Sequence, residues 1–252
     1  MSRREWSYDR IADVYAADMG RSMAFDDVDW FRRQCHRHRG RVLELGCGTG
    51  RVMLPLLADG IDIIGIDRSL PMLRRLRVEA RSLGLEPRVA QMDLQGLALG
   101  ASFALILAPY SLVTYLPGRD DLDQWVASVA PLLAGGGALV LDAFVPRAIR
   151  AGEDFQPDYA RPFGDGMLER AKRVQALADG RNRIERRYRL IDASGSVREE
   201  FTTVDCIRPR TPAELVGALE RAGLRIEEAA WDYGTGTSAE SAQFHTVVGV
   251  KA

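Results

Sequence analysis

Lysine is almost missing from this chain: Lys172 and Lys251 stand alone among 34 basic residues, and the other 32 are arginine. That bias reads as genome composition and not as function. An excess of one charge is missing too, since 35 acids leave a formal net charge of -1. No global field therefore draws nucleic acid or an anionic membrane surface. Cysteine is scarce: Cys35, Cys47 and Cys206 have neither metal nor redox spacing. The odd count, with no signal-peptide pattern, predicts a cytoplasmic protein. Of three histidines, His36 and His38 lie two apart near the end of a predicted helix. That spacing puts them on different faces, which argues against a metal pair and for solvated, helix-terminal side chains. No apolar run approaches the length of a membrane span. Internal repeats and low-complexity segments are absent.

What is present is an ordinary apolar share of 46% in 252 residues, enough for one large domain, or one domain and a small appendage. The chain is organised around Arg41-Val-Leu-Glu-Leu-Gly-Cys-Gly-Thr-Gly-Arg51. Val42, Leu43 and Leu45 read as a buried strand. Gly46, Gly48 and Gly50 allow a sharp turn and a close approach of backbone to ligand. The following 51–58 reads as a helix whose first N–H groups would point at that ligand. This is the geometry of a nucleotide-type cofactor site at the end of a parallel strand. The third glycine comes one place too early for the dinucleotide fingerprint G-x-G-x-x-G. Glu44, just before the loop, would repel a pyrophosphate and suit an ammonium. An adenosine joined to a zwitterionic amino-acid tail satisfies both facts, and S-adenosylmethionine is such a molecule.

Glu44-Leu-Gly-Cys-Gly-Thr-Gly50 resembles motif I of the class I S-adenosylmethionine-dependent methyltransferases. Further strings extend the resemblance over nearly the whole chain. Tyr8-Asp-Arg-Ile-Ala-Asp-Val-Tyr15 resembles the Y-D-x-x-A-x-x-Y opening of small-molecule methyltransferases, which folds over the cofactor as a lid. The resemblance implies that Tyr15, with Tyr8, faces the sulfonium; the other reading is packing at helical spacing. A second strand, 61–66, ends at Asp67, about twenty residues after Gly46, where a ribose-binding acid belongs. The family pattern then implies Met72 and Met92 as apolar neighbours of the adenine. It makes Asp93 the acceptor for the adenine amino group, and Arg68, Leu94, Cys47 and Ala108 further cofactor contacts.

Strand 88–93 is followed by an apolar strand, 103–107, ending in Ala108-Pro-Tyr110. Enzymes that methylate nucleobase amino groups carry (N/D/S)-P-P-(Y/F) here, so A-P-Y departs from a nucleic-acid substrate; Tyr110 lines the acceptor pocket or packs in the core. A helix over 120–133, a turn at Gly135–Gly137 and a strand at 138–141 ending in Asp142 complete five alternations of strand and helix. They predict an α/β fold, a Rossmann-like, seven-stranded doubly wound sheet. Two N-terminal helices (5–38, the second run starting at Phe25) form the lid, and residues 1–40 are assigned to it. Residues 146–166 read as a loop, 166–209 as three antiparallel strands, 211–222 as a helix with a Thr211/Glu214 capping box, and 224–230 and 244–250 as closing strands. The cofactor domain thus takes 41–145 with 211–252, and 146–210 is an antiparallel β insert. That insert resembles the branch of glycine N-methyltransferase and sugar-amine N,N-dimethyltransferases. The basic run 170–189 has few aromatics for base stacking; a solvated face balanced by Glu185, Glu199 and Glu200 is preferred to RNA binding.

The reaction expected is transfer of a methyl from S-adenosylmethionine to a small-molecule nucleophile, leaving S-adenosylhomocysteine. Nitrogen is the preferred acceptor atom because of the insert. Tyr15, Tyr110 and His245 are the candidate catalytic residues, with Tyr8, Tyr110, Trp231 and Tyr233 in the acceptor pocket; no metal is expected. The alternatives are an O-methyltransferase, a cyclase that binds S-adenosylmethionine without transferring methyl, and a tRNA or protein methyltransferase. A nicotinamide-dependent oxidoreductase is opposed by Glu44 and the glycine spacing. A monomer or homodimer is expected.

Overall fold

The computed structural model of the chain describes residues 6–19, 27–149 and 154–252; the start of the second helical run, at 25–26, lies outside them. In chain order the main elements are α1 (Ser7–Ile11), α2 (Tyr15–Met19), α3 (Asp27–Arg37), β1 (Val42–Leu45), α4 (Met53–Ala58), β2 (Ile63–Asp67), α5 (Leu70–Ser82), β3 (Arg88–Gln91), β4 (Phe103–Ala108), α6 (Asp121–Val129) and β5 (Leu133–Phe144). Then follow β6 (Gln156–Phe163), β7 (Gly166–Ala176), β8 (Asn182–Ile191), β9 (Val197–Ile207), α7 (Pro212–Arg221), β10 (Leu224–Trp231) and β11 (Phe244–Lys251). Contacts divide the chain into two units, residues 25–146 with 209–252 and residues 1–24 with 147–208. The helix α3 therefore groups with the first unit and not with α1 and α2.

The first unit carries a seven-stranded sheet of order β3-β2-β1-β4-β5-β11-β10. Neighbours from β3 through β5 are parallel, and β11 runs antiparallel to both β5 and β10. The central strands are apolar because helices cover both faces. One face buries Leu43, Leu45, Ile106, Leu139, Leu141 and Val247 against α6 and α7, through Trp125, Val129, Leu215 and Leu219. Local signals set the helix starts. The Ser69 hydroxyl accepts from Met72 N at 3.3 Å to cap α5. The Thr211/Glu214 capping box opens α7 as the sequence predicts.

Three expectations need correction here. Gly135–Gly137 is not a turn outside the strand but a bulge within β5. The register to β4 jumps from Phe103↔Leu133 to Leu105↔Ala138, and Gly136 takes φ 73°. The helix expected over 120–133 ends at Val129 and continues as a 3-10 turn, Ala130–Leu132, where Pro131 lacks the N–H to carry it on. His38 is buried at 9% exposure, with Nε2 3.4 Å from Glu227 Oε1, and burial lowers its pKa.

The second unit is a four-stranded antiparallel meander, β6-β7-β8-β9, not three strands after a loop. Pro157 and Pro162 lie in β6, the edge strand, where a missing N–H breaks no ladder. Asp18, at 3% exposure, ties α2 to this sheet: it accepts from Tyr159, Arg170 and Tyr188. Arg161 donates to the Ala17 and Asp18 carbonyls at the helix end. In α1, Ser7 donates to Asp205 and Arg10 pairs with Glu199. The basic run is matched by acids: Arg170 pairs with Asp158 at 2.6 Å, Arg173 with Glu185 at 2.6 Å and Arg189 with Glu169 at 3.0 Å. Paired cations form a solvated sheet face better than a track for phosphates.

Candidate functional site

Beyond β1 the chain lays β2 and β3 to one side, while β4 and β5 lie on the other. The ends of β1 and β4 therefore flank the reversal point, where open α/β sheets bind ligands. The glycine loop sits on that point. Gly46, Gly48 and Gly50 have φ of 68°, 54° and 91°, left-handed backbone that a side chain resists. A Cβ at Gly46 would lie 2.7 Å from Leu112 Cδ1, and one at Gly50 2.7 Å from Leu54 Cγ. At Gly48 a Cβ would meet nothing nearer than Gly46 O at 4.0 Å. Packing thus demands the outer two glycines, while the middle one leaves an open cradle over bare backbone.

Asp67 ends β2 beside that cradle. Its Oδ2 accepts from Gly48 N at 2.9 Å and its Oδ1 from Ser69 N at 2.7 Å. It does not cap α5, because Ser69 does. A carboxylate has about four acceptor positions, so two amides do not exhaust it. Met92 and Leu94 are half-buried against the core, and the exposed Asp93 accepts from Gln95 N at 3.0 Å. Arg68 is exposed with Nη1 3.7 Å from Asp93 Oδ2. Two expected contacts offer no side chain. Cys47 turns its Sγ back to 2.7 Å from where a Gly65 Cβ would be, and Met72 is 1% exposed in the buried face of α5. At Cys47 only backbone faces the loop.

Glu44 is sealed beneath the glycines at 2% exposure, and its Oε2 has no hydrogen-bond partner. Burial pushes its pKa up to about 8, against the pull of the Arg51 cation and with the push of Asp67 and Asp27. Arg51 forms a two-pronged pair with the buried Asp27, at 2.7 and 2.6 Å. It also lies over the Tyr110 ring, 5.5 Å from its centroid.

At the end of β4, Ala108 is buried and the chain turns through Tyr110 (φ 58°) and Ser111 (φ 62°). The half-buried Tyr110 ring meets Phe144 at 5.4 Å and Phe244 at 5.6 Å between centroids. Phe144 is 41% exposed, an aromatic edge at the rim. Asp142, fully buried, accepts from Tyr110 N (3.0 Å), Ser111 N (2.5 Å) and Tyr233 OH (2.6 Å). Tyr233 is 2% exposed and packs on Trp30 and Phe31 of α3.

Two candidates are not brought here. In an antiparallel pair, directly opposed residues share a face. Asp142 opposes Thr246 and Phe144 opposes Phe244, whereas His245 opposes Ala143 and Trp231. His245 and Trp231 therefore lie on the face of α7. His245 is 2% exposed, neither ring nitrogen has a partner, and burial lowers its pKa to about 4. Tyr8 and Tyr15 belong to the second unit, half-buried and edge-on to each other at 5.9 Å. Sequence reasoning missed Asp27, Arg51, Ser111, Asp142 as a ligand of the turn, and Phe144. The one available signal was an acid closing each of three strands, at Asp67, Asp93 and Asp142. Among the described residues no cluster of His, Cys, Asp and Glu is arranged to hold a metal.

Comparison with known proteins agrees with this geometry. Residues 42–137 match the family model described as a methyltransferase domain. A dTDP-3-amino-3,4,6-trideoxy-alpha-D-glucopyranose N,N-dimethyltransferase of Streptomyces venezuelae is 28% identical over 220 residues, covering 86% of this chain and 90% of that protein. The CcbJ methyltransferase of Streptomyces caelestis superposes with a TM-score of 0.78 at 25% identity, over 99% of this chain and 100% of the other. An S-adenosylmethionine-dependent methyltransferase of Clostridium acetobutylicum shares the fold, with a TM-score of 0.78 at 19% identity over 97% and 99% of the two chains.

Proposed function

We infer that this chain, a class I S-adenosylmethionine-dependent methyltransferase, methylates the nitrogen of a small-molecule amine, and that the amine is borne on a sugar. The charge of the site carries the reading. Asp27, Asp67 and Asp142 stand near the Arg51 guanidinium and the open glycine cradle, together with Glu44, which a nearby ammonium would draw into its ionised form. Such a surface favours a ligand with ammonium and sulfonium charges and opposes a pyrophosphate. The unpartnered Glu44 Oε2 fits the same ligand, since a buried polar atom is costly until it finds a partner. The sugar is suggested by the Streptomyces venezuelae relative, whose similarity runs through the antiparallel insert as well as the cofactor domain.

Asp67 would accept the ribose hydroxyls, the backbone at Gly48 would lie against the ligand, and Glu44 would face the ammonium. Met92 and Leu94 would flank the adenine, with Asp93 at its amino edge. Bound there, the cofactor supplies an electrophilic methyl on a sulfonium leaving group. The protein's remaining task is to orient the acceptor and exclude water. Tyr110, Phe144 and Phe244 give the strand end an apolar aromatic wall suited to both. A neutral amine needs no strong base, in keeping with the placement of His245 on the opposite face of the sheet from this wall.

Calorimetric titration with S-adenosylmethionine, S-adenosylhomocysteine and NAD tests the site. Binding of the first two and none of NAD is expected; binding of NAD alone would overturn the reading. Amino sugars linked to a nucleotide are the first acceptors to assay, by gain of mass in methyl steps.

A further inference from the structure

Among the described residues, four other than glycine hold left-handed backbone: Tyr110, Ser111, Asp232 and Tyr233, with φ of 58°, 62°, 43° and 57°. Such conformations are costly to residues with a Cβ, and they gather where a site must be held in one shape. Three of the four donate to one carboxylate, Asp142, through the amides of Tyr110 and Ser111 and the hydroxyl of Tyr233. The fourth, Asp232, accepts from Gln243 N and Phe244 N at 2.9 and 2.7 Å, and so sets the start of β11 where Phe244 packs on Tyr110. Ser111 closes the arrangement: its Oγ accepts from Phe144 N at 2.9 Å. An apolar residue at 142 would continue the run of β5 and bury no charge. The carboxylate is explained by what it holds.

We propose that Asp142 is a positioning residue for methyl transfer: by gripping the left-handed Tyr110–Ser111 turn and the Tyr233 hydroxyl, it fixes the Tyr110 ring against which the acceptor is placed. This rests on the reading of the β4 end as the acceptor side of a methyltransferase. Asp142 does not touch the reacting atoms; it acts through Tyr110. Its ionised form suits the task, because it offers acceptors to three donors and has no proton of its own to place. Burial raises its pKa to about 6, while the bonds from Ser111, Tyr233 and Tyr110 restrain that rise. The groups facing it are Tyr233 from the turn after β10, Asp27 from α3, the Tyr110–Ser111 turn, and Thr246 opposite on β11. Arg51 lies beyond, over the Tyr110 ring.

The test uses the full chain, methyl-labelled S-adenosylmethionine and a nucleotide-linked amino sugar. Asp142→Asn should keep the cofactor affinity measured by calorimetry and lose about tenfold to a hundredfold in kcat, the scale of a small misplacement of reacting groups. In a Tyr110→Ala background the same substitution should cost nothing further in kcat. The ratio of wild-type to Asp142→Asn kcat/KM, in which the titration of the acceptor amine cancels, should fall toward one below pH about 6, as Asp142 takes up its proton. Should Asp142→Asn fail to melt cooperatively, Tyr233→Phe removes one donor and no charge. It should lower kcat with cofactor affinity kept, and again add nothing to Tyr110→Ala. Wild-type kcat in these variants, equal losses with and without Tyr110, or a ratio independent of pH would each overturn the inference. Absence of transfer by the wild-type chain would instead overturn the functional reading on which it stands.

Discussion

Glu44 and Asp142 are both carboxyls sealed from water, yet the fold holds them by opposite means. Asp142 receives three donors, whereas Glu44 keeps one oxygen without a partner. Glu44 should therefore be protonated in the empty site at neutral pH, with a folded pKa of about 8 against an ordinary 4.5. A carboxyl whose folded pKa is raised favours the fold at low pH and loses that contribution as pH climbs from the unfolded to the folded value. Glu44→Gln should melt with wild type below pH 4.5 and progressively above it up to pH 8, by on the order of 3–5 kcal/mol. Parallel melting profiles would contradict the buried, unpartnered state. His245 shows the reverse sign. Its pKa falls from 6.5 to about 4 in the fold, so stability is full above pH 6.5 and drains away as pH drops toward 4. His245→Leu should remove that part of the acid sensitivity, roughly 2–3 kcal/mol, with turnover at neutral pH kept; loss of turnover would return His245 to the transfer site. Asp67→Ala should weaken S-adenosylmethionine by about 1.5–3 kcal/mol, the value of hydrogen bonds to a charged group. Unchanged affinity in the folded variant would remove Asp67 from the site.

The glycine loop is the element in which sequence and structure agree most closely. Spacing and Glu44 named a cofactor, and the backbone angles supply the reason for each glycine. Gly50→Ala places a methyl 2.7 Å from Leu54 Cγ on left-handed backbone, so it should cost about 1–3 kcal/mol in stability and weaken cofactor binding with it. A thermal melt and a titration on the same sample check both. Signals carried by neighbouring residues along the chain were legible: the Thr211 capping box, the apolar parallel strands, the acid at the end of β2. Features set by pairing across the sheet were not. Pro157 and Pro162 suggested a loop because a proline's cost depends on whether its strand is an edge. The misplacement of His245 and Trp231 came from the same source, since register decides which face a side chain takes. Nor could the Tyr110–Ser111 turn be read, because residues with a Cβ give no local sign of left-handed backbone.

At the scale of the whole molecule the chain is two units, and the N-terminal helices α1 and α2 are fastened to the antiparallel one. Asp18 is the fastening at the α2 side chain, a buried acid meeting Tyr159, Arg170 and Tyr188, beside the ties of Ser7, Arg10 and Arg161. Removing Asp18 takes one of the two carboxylates that Arg170 pairs with and the acceptor of the Tyr159 hydroxyl, which costs about 1–3 kcal/mol. Asp18→Ala should accordingly speed amide hydrogen exchange across 7–19 far more than across β1 and β4; uniform exchange would show that α2 is not held there. The larger unit keeps the sheet, the cradle and the carboxyls together, and the central claim concerns what that unit does. The most direct measurement is incubation of the purified chain with methyl-labelled S-adenosylmethionine and a nucleotide-linked amino sugar, with the labelled product read by NMR. The account predicts label on the amine nitrogen and an equal amount of S-adenosylhomocysteine. Label on oxygen, or S-adenosylmethionine bound and recovered unchanged, would contradict it.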